Sequence, residues 1–257
     1  MTRSLMLPLL LAGLSQQPSQ APPVDTSCPE LATALRAVVR NDVRLRDWAQ
    51  LDRYRAANGR VPARAADARR VVFMGDSITD SWQEPRFGGF FPGRDYLDRG
   101  ISGQTTPQML VRFREDVLDL KPAAVVILAG TNDIAGNTGP MTDDEIEDNL
   151  ASMAELAKAR GIKVVLASIT PTSAYHTAQR GIPQTTVRPL ARITAINEWI
   201  KRYASDNGAV YLDYFSAMVD ETGQMKADLT LDDLHPTAAG YAIMAPLAQK
   251  AIDAALR

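Results

Sequence analysis

The chain has 257 residues, of which 46% are apolar and 23% charged, and its formal net charge is -2. That length suits one α/β domain with a full core, or two small ones, and the composition excludes disorder as the main state. The near-neutral charge offers no basic surface for gripping nucleic acid, and a single cysteine, Cys28, excludes both an intrachain disulfide and a cysteine-based zinc cluster.

In chain order, residues 1–21 read as a signal peptide. Arg3 supplies a positive start and Leu5 to Leu14 an apolar stretch, shorter than the roughly 20 residues needed to span a bilayer. Ser15, Ser19 and Ala21 follow; cleavage after Ala21 would leave Pro22 first, and cleavage after Ser15 is the alternative. The expected location is therefore periplasmic or extracellular, with no stable membrane span. Cys28 is read as incidental, against the alternatives of a reactive thiol or a dimer link. Residues 22–69 read as a linker and an N-terminal helical segment: Gln16 to Glu30 is rich in proline, serine and glutamine, whereas Leu31 to Ala57 has helical periodicity, ending at Asn58-Gly59.

From Arg70 the pattern changes to short apolar runs alternating with helical stretches. Val71–Met74, Tyr96–Asp98, Ala123–Ala129, Val164–Ile169 and Val210–Leu212 are the expected strands. Pro107–Leu118, Asp143–Arg160, Val187–Asp206 and Thr237–Leu256 are the expected helices, with Thr142 opening the second. Continuous apolar strands separated by helices imply a parallel sheet covered on both faces. The expectation is an α/β fold: a three-layer α/β/α sandwich with a five-stranded parallel sheet and flavodoxin-like topology.

Sites in such sheets gather beyond the carboxyl ends of the strands. Four segments follow strands here: Gly75-Asp76-Ser77-Ile78-Thr79, Gly100-Ile101-Ser102-Gly103, Gly130-Thr131-Asn132-Asp133 and, later, Asp232-Asp233-Leu234-His235-Pro236. They deliver a hydroxyl, a glycine-rich backbone turn, a side-chain amide and a carboxylate–imidazole pair, the parts of an acyl-transfer site. The chain holds only two histidines. His235 follows Asp232 by three residues, a spacing that brings side chains onto one face of a turn; Asp233, two residues away, is expected to point elsewhere. His176 lies in a polar stretch with no matching carboxylate nearby in sequence and reads as a surface-loop residue or a substrate-rim residue. Asp76 is read as structural and Thr79 as a cap or turn residue. Position 79 is not glycine, so the strand–turn is not the G-x-S-x-G nucleophile elbow, and Gly100 to Gly103 lacks dinucleotide-fingerprint spacing.

The same four segments, in this order, resemble the sequence blocks of the SGNH, or GDSL-like, hydrolase family. The resemblance spans Gly75 to Pro236, with Ile78 where the name-giving motif has leucine, and implies an SGNH hydrolase domain over 70–257. It further implies Ser77 as nucleophile, His235 as general base and Asp232 as the carboxylate orienting it. The oxyanion hole would be formed by the N–H groups of Ser77 and Gly103 and the amide of Asn132. No cofactor and no metal are implied, and the partner is a small-molecule or glycan ester. The expected reaction is hydrolysis of short-chain acyl esters, acetylated carbohydrates being one candidate among them. Lysophospholipid or thioester hydrolysis is the alternative within the enzyme reading. A non-catalytic carbohydrate-binding module on the same scaffold predicts a degraded Ser, Asn or His, and none is degraded; a phosphate or nucleotide binder predicts no late Asp-x-x-His. Trp82, Phe87, Phe90, Phe91 and Tyr96, with Gly88 and Gly89 among them, stand equally as pocket lining or as ordinary packing.

Overall fold

A computed structural model describes residues 45–63, 69–177 and 181–257, with scattered positions between 29 and 38. The expected signal peptide, Cys28 and most of the segment before residue 45 lie outside the described residues. Residues 46–257 form one unit. Its five strands are β1 (Val71–Gly75), β2 (Tyr96–Gly100), β3 (Ala124–Leu128), β4 (Lys163–Ala167) and β5 (Val210–Leu212). They pair in parallel in the order β2-β1-β3-β4-β5, the flavodoxin-like doubly wound order.

The apolar runs conceal a period of two. Val72, Met74, Val125, Ile127, Val164 and Leu166 face one layer, where they meet Met109, Phe113, Ile146, Leu150, Met153, Ile193, Ile196 and Ile200. Those residues come from α3 (Thr106–Asp116), α5 (Asp143–Lys158) and α7 (Leu190–Asp206). Val71, Phe73, Val126, Leu128, Val165 and Ala167 face the other layer, against Ile78, Trp82, Tyr241, Met244, Ala248 and Ile252. That side is built from α8 (Phe215–Met218), α9 (Ala238–Ala255) and the segment after β1. Both faces are apolar because both are covered, so the central strands β1 and β3 read as unbroken hydrophobic runs.

Helix α5 begins where expected: Thr142 Oγ1 accepts from the Glu145 N–H while Glu145 reaches back to the Thr142 N–H at 2.8 Å, a reciprocal cap. One helix differs from expectation. The stretch 187–206 is interrupted: a short α6 (Gln184–Val187) ends at Arg188, and α7 starts after Pro189. The proline ring disfavours helical backbone at the residue before it, and Arg188 lies at φ -127°, ψ 81°. The stretch 31–57, expected as one or two helices, breaks at Gln50, which has φ 56°, and α1 (Asp52–Asn58) follows. Segment 47–58 is tied to the sheet by polar contacts. The Tyr54 hydroxyl donates to the Gly100 carbonyl, Gln104 Nε2 to the Ala49 carbonyl at 2.8 Å and Gln108 Nε2 to the Trp48 carbonyl at 2.7 Å.

Strands β1 and β2 end level, with Gly75 opposite Gly100. Across this edge lies the one-turn helix α2 (Ser77–Asp80). A Cβ at Gly100 would sit 2.1 Å from the Asp80 nitrogen and 2.8 Å from the Asp76 carbonyl oxygen, so only glycine lets α2 settle there.

Candidate active site

Ser77 is the first residue of α2, directly beyond β1. The preceding Asp76 accepts from the Ile78 N–H through Oδ1 at 2.9 Å, a turn that raises the serine above the sheet edge, and the Tyr241 hydroxyl caps the Ile78 carbonyl at 2.7 Å. Asp76 is thus a structural residue. Its burial pushes the carboxyl up to about 6, with the Ile78 N–H and the neighbouring His235 and Arg188 acting in the opposite direction.

The Asp232–His235 segment is a tight loop closed at its base by the Thr230–Pro236 bridge and the 2.8 Å bond from the Thr237 N–H to the Leu229 carbonyl. Inside it, Asp232 Oδ1 accepts from the N–H groups of Leu234 (3.1 Å) and His235 (2.7 Å). Its other oxygen lies 2.7 Å from His235 Nδ1, and His235 Nε2 lies 2.9 Å from Ser77 Oγ. The spacing of three therefore acts through an aspartate-centred turn that precedes α9. Burial opposes ionisation of Asp232, but the donations from the His235 ring and backbone and from Leu234 outweigh it, and the carboxyl titrates well below the usual range.

Asp233 takes a left-handed backbone, φ 67°, a conformation aspartate tolerates better than most residues. Its side chain consequently leaves the Ser77 side. It accepts from Ser173 Oγ at 2.5 Å and from the His176 N–H at 2.9 Å, and it lies 3.1 Å from His176 Nδ1. Despite burial, these donors hold Asp233 below its ordinary range. His176, which has no matching carboxylate nearby in sequence, finds one in space. Its carboxylate lies 57 residues away in sequence and arrives only when the loop after β4 packs on the loop before α9.

The remaining expected residues open onto the same cavity, of about 840 Å³, as Ser77 and His235. Gly103 has φ 82° and its carbonyl is held by Asn137 Nδ2 at 3.0 Å; its backbone is fixed in a conformation that a side chain would strain. Asn132 lies in the one-turn helix α4 (Thr131–Ile134) beyond β3 and donates from Nδ2 to the Gln104 carbonyl at 3.0 Å. Buried Arg112 braces this rim, donating to the Gly75 carbonyl (3.0 Å), Gln104 Oε1 (2.5 Å) and Asp116 (2.9 Å). It couples the end of β1 to the turn carrying Gly103.

Of the five aromatic residues after Ser77, only Phe87 lines the cavity, its ring tilted against Tyr241 and under Arg86. Trp82 is buried in the core, and the partly buried Phe90, Phe91 and Tyr96 pack against it through Phe73. Arg188 also lines the cavity. Nothing local in the sequence marks it, because it is a lone arginine at a helix break. Among the described residues no cluster of potential metal ligands occurs, and no helix is long and apolar enough to cross a membrane.

A doubly wound sheet in the order 2-1-3-4-5, presenting a serine, a histidine and an aspartate in file beyond its carboxyl edge, defines a GDSL/SGNH-type hydrolase fold. The sequence pattern of the GDSL-like Lipase/Acylhydrolase family matches residues 73–243, and the chain belongs to that family of esterases and acylhydrolases. The crystal structure of a GDSL-like lipase from Bacteroides thetaiotaomicron is 43% identical, covers 81% of this chain and 99% of its own, and superposes with a TM-score of 0.73. The acetylxylan esterase of Geobacillus stearothermophilus is 27% identical over 207 residues, 68% of this chain and 90% of the relative. Esterase TesA of Pseudomonas aeruginosa is 43% identical over 115 residues, 40% of this chain and 56% of TesA. The chain spans between a third and a little over half of the length of the first two curated relatives it matches.

Proposed function

We propose that the protein is a serine ester hydrolase that removes short acyl groups, with acetylated carbohydrates as its substrate class. The observation that carries the reading is the continuous relay from Ser77 Oγ through both ring nitrogens of His235 to Asp232, at 2.9 and 2.7 Å. Ser77 Oγ attacks the ester carbonyl and His235 Nε2 takes its proton, while Asp232 holds the proton on Nδ1 and stabilises the imidazolium. The N–H groups of Ser77 and Gly103 and the Asn132 amide receive the oxyanion. His235 then protonates the leaving alcohol, and water releases the acyl group by the reverse roles.

The short-acyl reading is supported by the aromatic side chains after Ser77. Four of the five are committed to core packing, so they do not extend the cavity into an apolar channel. At the cavity wall, Ser81, Ser102 and the Phe87 ring combine hydroxyls with an aromatic face, which suits a sugar ring. The acetylxylan esterase relative is in keeping with this chemistry. The signal-like pattern of residues 1–21 adds export to the proposal, to be checked by fractionation and N-terminal sequencing of the mature chain. The deciding experiment is a panel of p-nitrophenyl esters from acetate to laurate, with acetylated xylo-oligosaccharides and a lysophospholipid. The proposal expects kcat/KM highest for acetyl esters and falling with chain length. A maximum at eight carbons or more, or on the lysophospholipid, overturns it.

A further inference from the structure

Arg188 is a buried cation, 6% exposed, on the wall of the cavity that holds Ser77. Among the described residues no carboxylate lies within 4 Å of its guanidinium. Burying a charge is costly; the Asp76 and Asp232 carboxylates favour it from beyond contact distance, and its direct contacts are all to neutral groups. Its contacts are specific. Nε donates to the carbonyl and hydroxyl oxygens of Thr131, both at 3.0 Å, Nη1 to Gln184 Oε1 at 2.5 Å, and Nη2 to Asn132 Oδ1 at 3.3 Å. The guanidinium is thus fixed by α6 and by the first residue of α4, and it closes on the amide that the proposed mechanism uses.

A planar amide at this position has two orientations related by a flip. With Oδ1 toward Arg188 and Nδ2 toward the Gln104 carbonyl, both contacts are attractive. The flipped amide sets NH2 against a cation and an oxygen against a carbonyl, and both contacts become repulsive. We infer that Arg188 is a positioning residue for the oxyanion hole, holding the Asn132 amide in the one orientation that leaves its second Nδ2–H for the cavity. The inference rests on the reading of Asn132 as an oxyanion donor. Arg188 acts through Asn132 and not on the substrate, so its removal should lower kcat with little change in KM.

The test is a double-mutant cycle of R188M and N132A with their combination, on p-nitrophenyl acetate. Concentrations are normalised to active sites titrated with a fluorophosphonate, and a thermal melt of each variant accompanies the kinetics. Losing one oxyanion donor lowers turnover by about 10²–10³-fold; losing only its orientation should lower kcat per active site by about 10-fold or more, with KM within about two-fold. On the N132A background the same substitution should cost no more than about two-fold, because the group it positions is gone. Q184A is the second variant, should R188M fold poorly: it loosens the guanidinium without removing it, and a smaller loss of kcat that likewise vanishes on N132A is expected. A full, additive effect of R188M on N132A overturns the inference, as does unchanged kcat per titrated site. If N132A itself turns over normally, the oxyanion reading of Asn132 fails and the inference falls with it. If N132A is slow and both R188M and Q184A are normal, the inference fails alone.

Discussion

Asp232→Asn tests the relay most sharply, because the structure fixes what the new amide must do. Asp232 Oδ1 already accepts two backbone N–H groups, from Leu234 and His235. Asparagine keeps those bonds only with its oxygen in that place, so its NH2 replaces the oxygen that lies 2.7 Å from His235 Nδ1. Nδ1 must then accept, the ring proton moves to Nε2, and Nε2 can no longer take the proton of Ser77. A wrong-tautomer histidine typically lowers kcat by about 10⁴-fold, equivalent to about 5.5 kcal/mol of barrier. Asp233→Asn should change kcat only a few-fold, since that carboxylate binds Ser173 and His176. Its cost should appear in stability, about 1–3 kcal/mol from weakened charge-assisted hydrogen bonds in a buried site. Steady-state hydrolysis of p-nitrophenyl acetate and urea melts of both variants make the comparison. If Asp233→Asn is the more damaging to kcat, or Asp232→Asn stays within ten-fold of the parent, the argument from the loop geometry is wrong.

Three further outcomes are expected. Ser77→Ala should abolish ester hydrolysis with little change in melting temperature, as expected for a residue outside the core clusters; near-parental turnover in a folded variant would remove the nucleophile assignment. Gly100→Ala should destabilise by about 3 kcal/mol or more, or fail to fold, because the added methyl collides with the Asp80 backbone; a urea melt within 1 kcal/mol of the parent would show that α2 can shift. Burial raises Asp98 to about 7, with the Gly100 N–H opposing it. A carboxyl raised on folding contributes stability that is complete below its unfolded value, about 3.9, and is lost as pH rises through about 7. Asp98→Asn should therefore gain on the parent between pH 5 and pH 8, and a difference in melting temperature that stays constant over that range would contradict it.

Much of this molecule is determined by the sequence itself, wherever the determining interaction is local or repeats regularly. Apolar runs such as Ala124–Leu128 must be buried on both faces whatever their neighbours, and that alone implies a covered parallel sheet. Asp232 and His235 are three residues apart in one closed turn, so their pairing needs no distant partner. Thr142 caps α5 through a residue three positions on. Other features depend on which loops meet, and no local pattern encodes that. His176 finds Asp233 only because the loop after β4 folds onto the loop before α9, and the left-handed backbone at Asp233 turns its carboxylate that way. The aromatic cluster after Ser77 is ambiguous in sequence because burial of a ring depends on what covers it, and Tyr241 comes from the far end of the chain. Arg188 is the clearest case: a single arginine beside a proline acquires its meaning from Thr131 and Asn132, more than fifty residues earlier. Short-range geometry is written in residue spacing, whereas the environment of a buried charge is a property of the packed whole and exists only once the chain has folded.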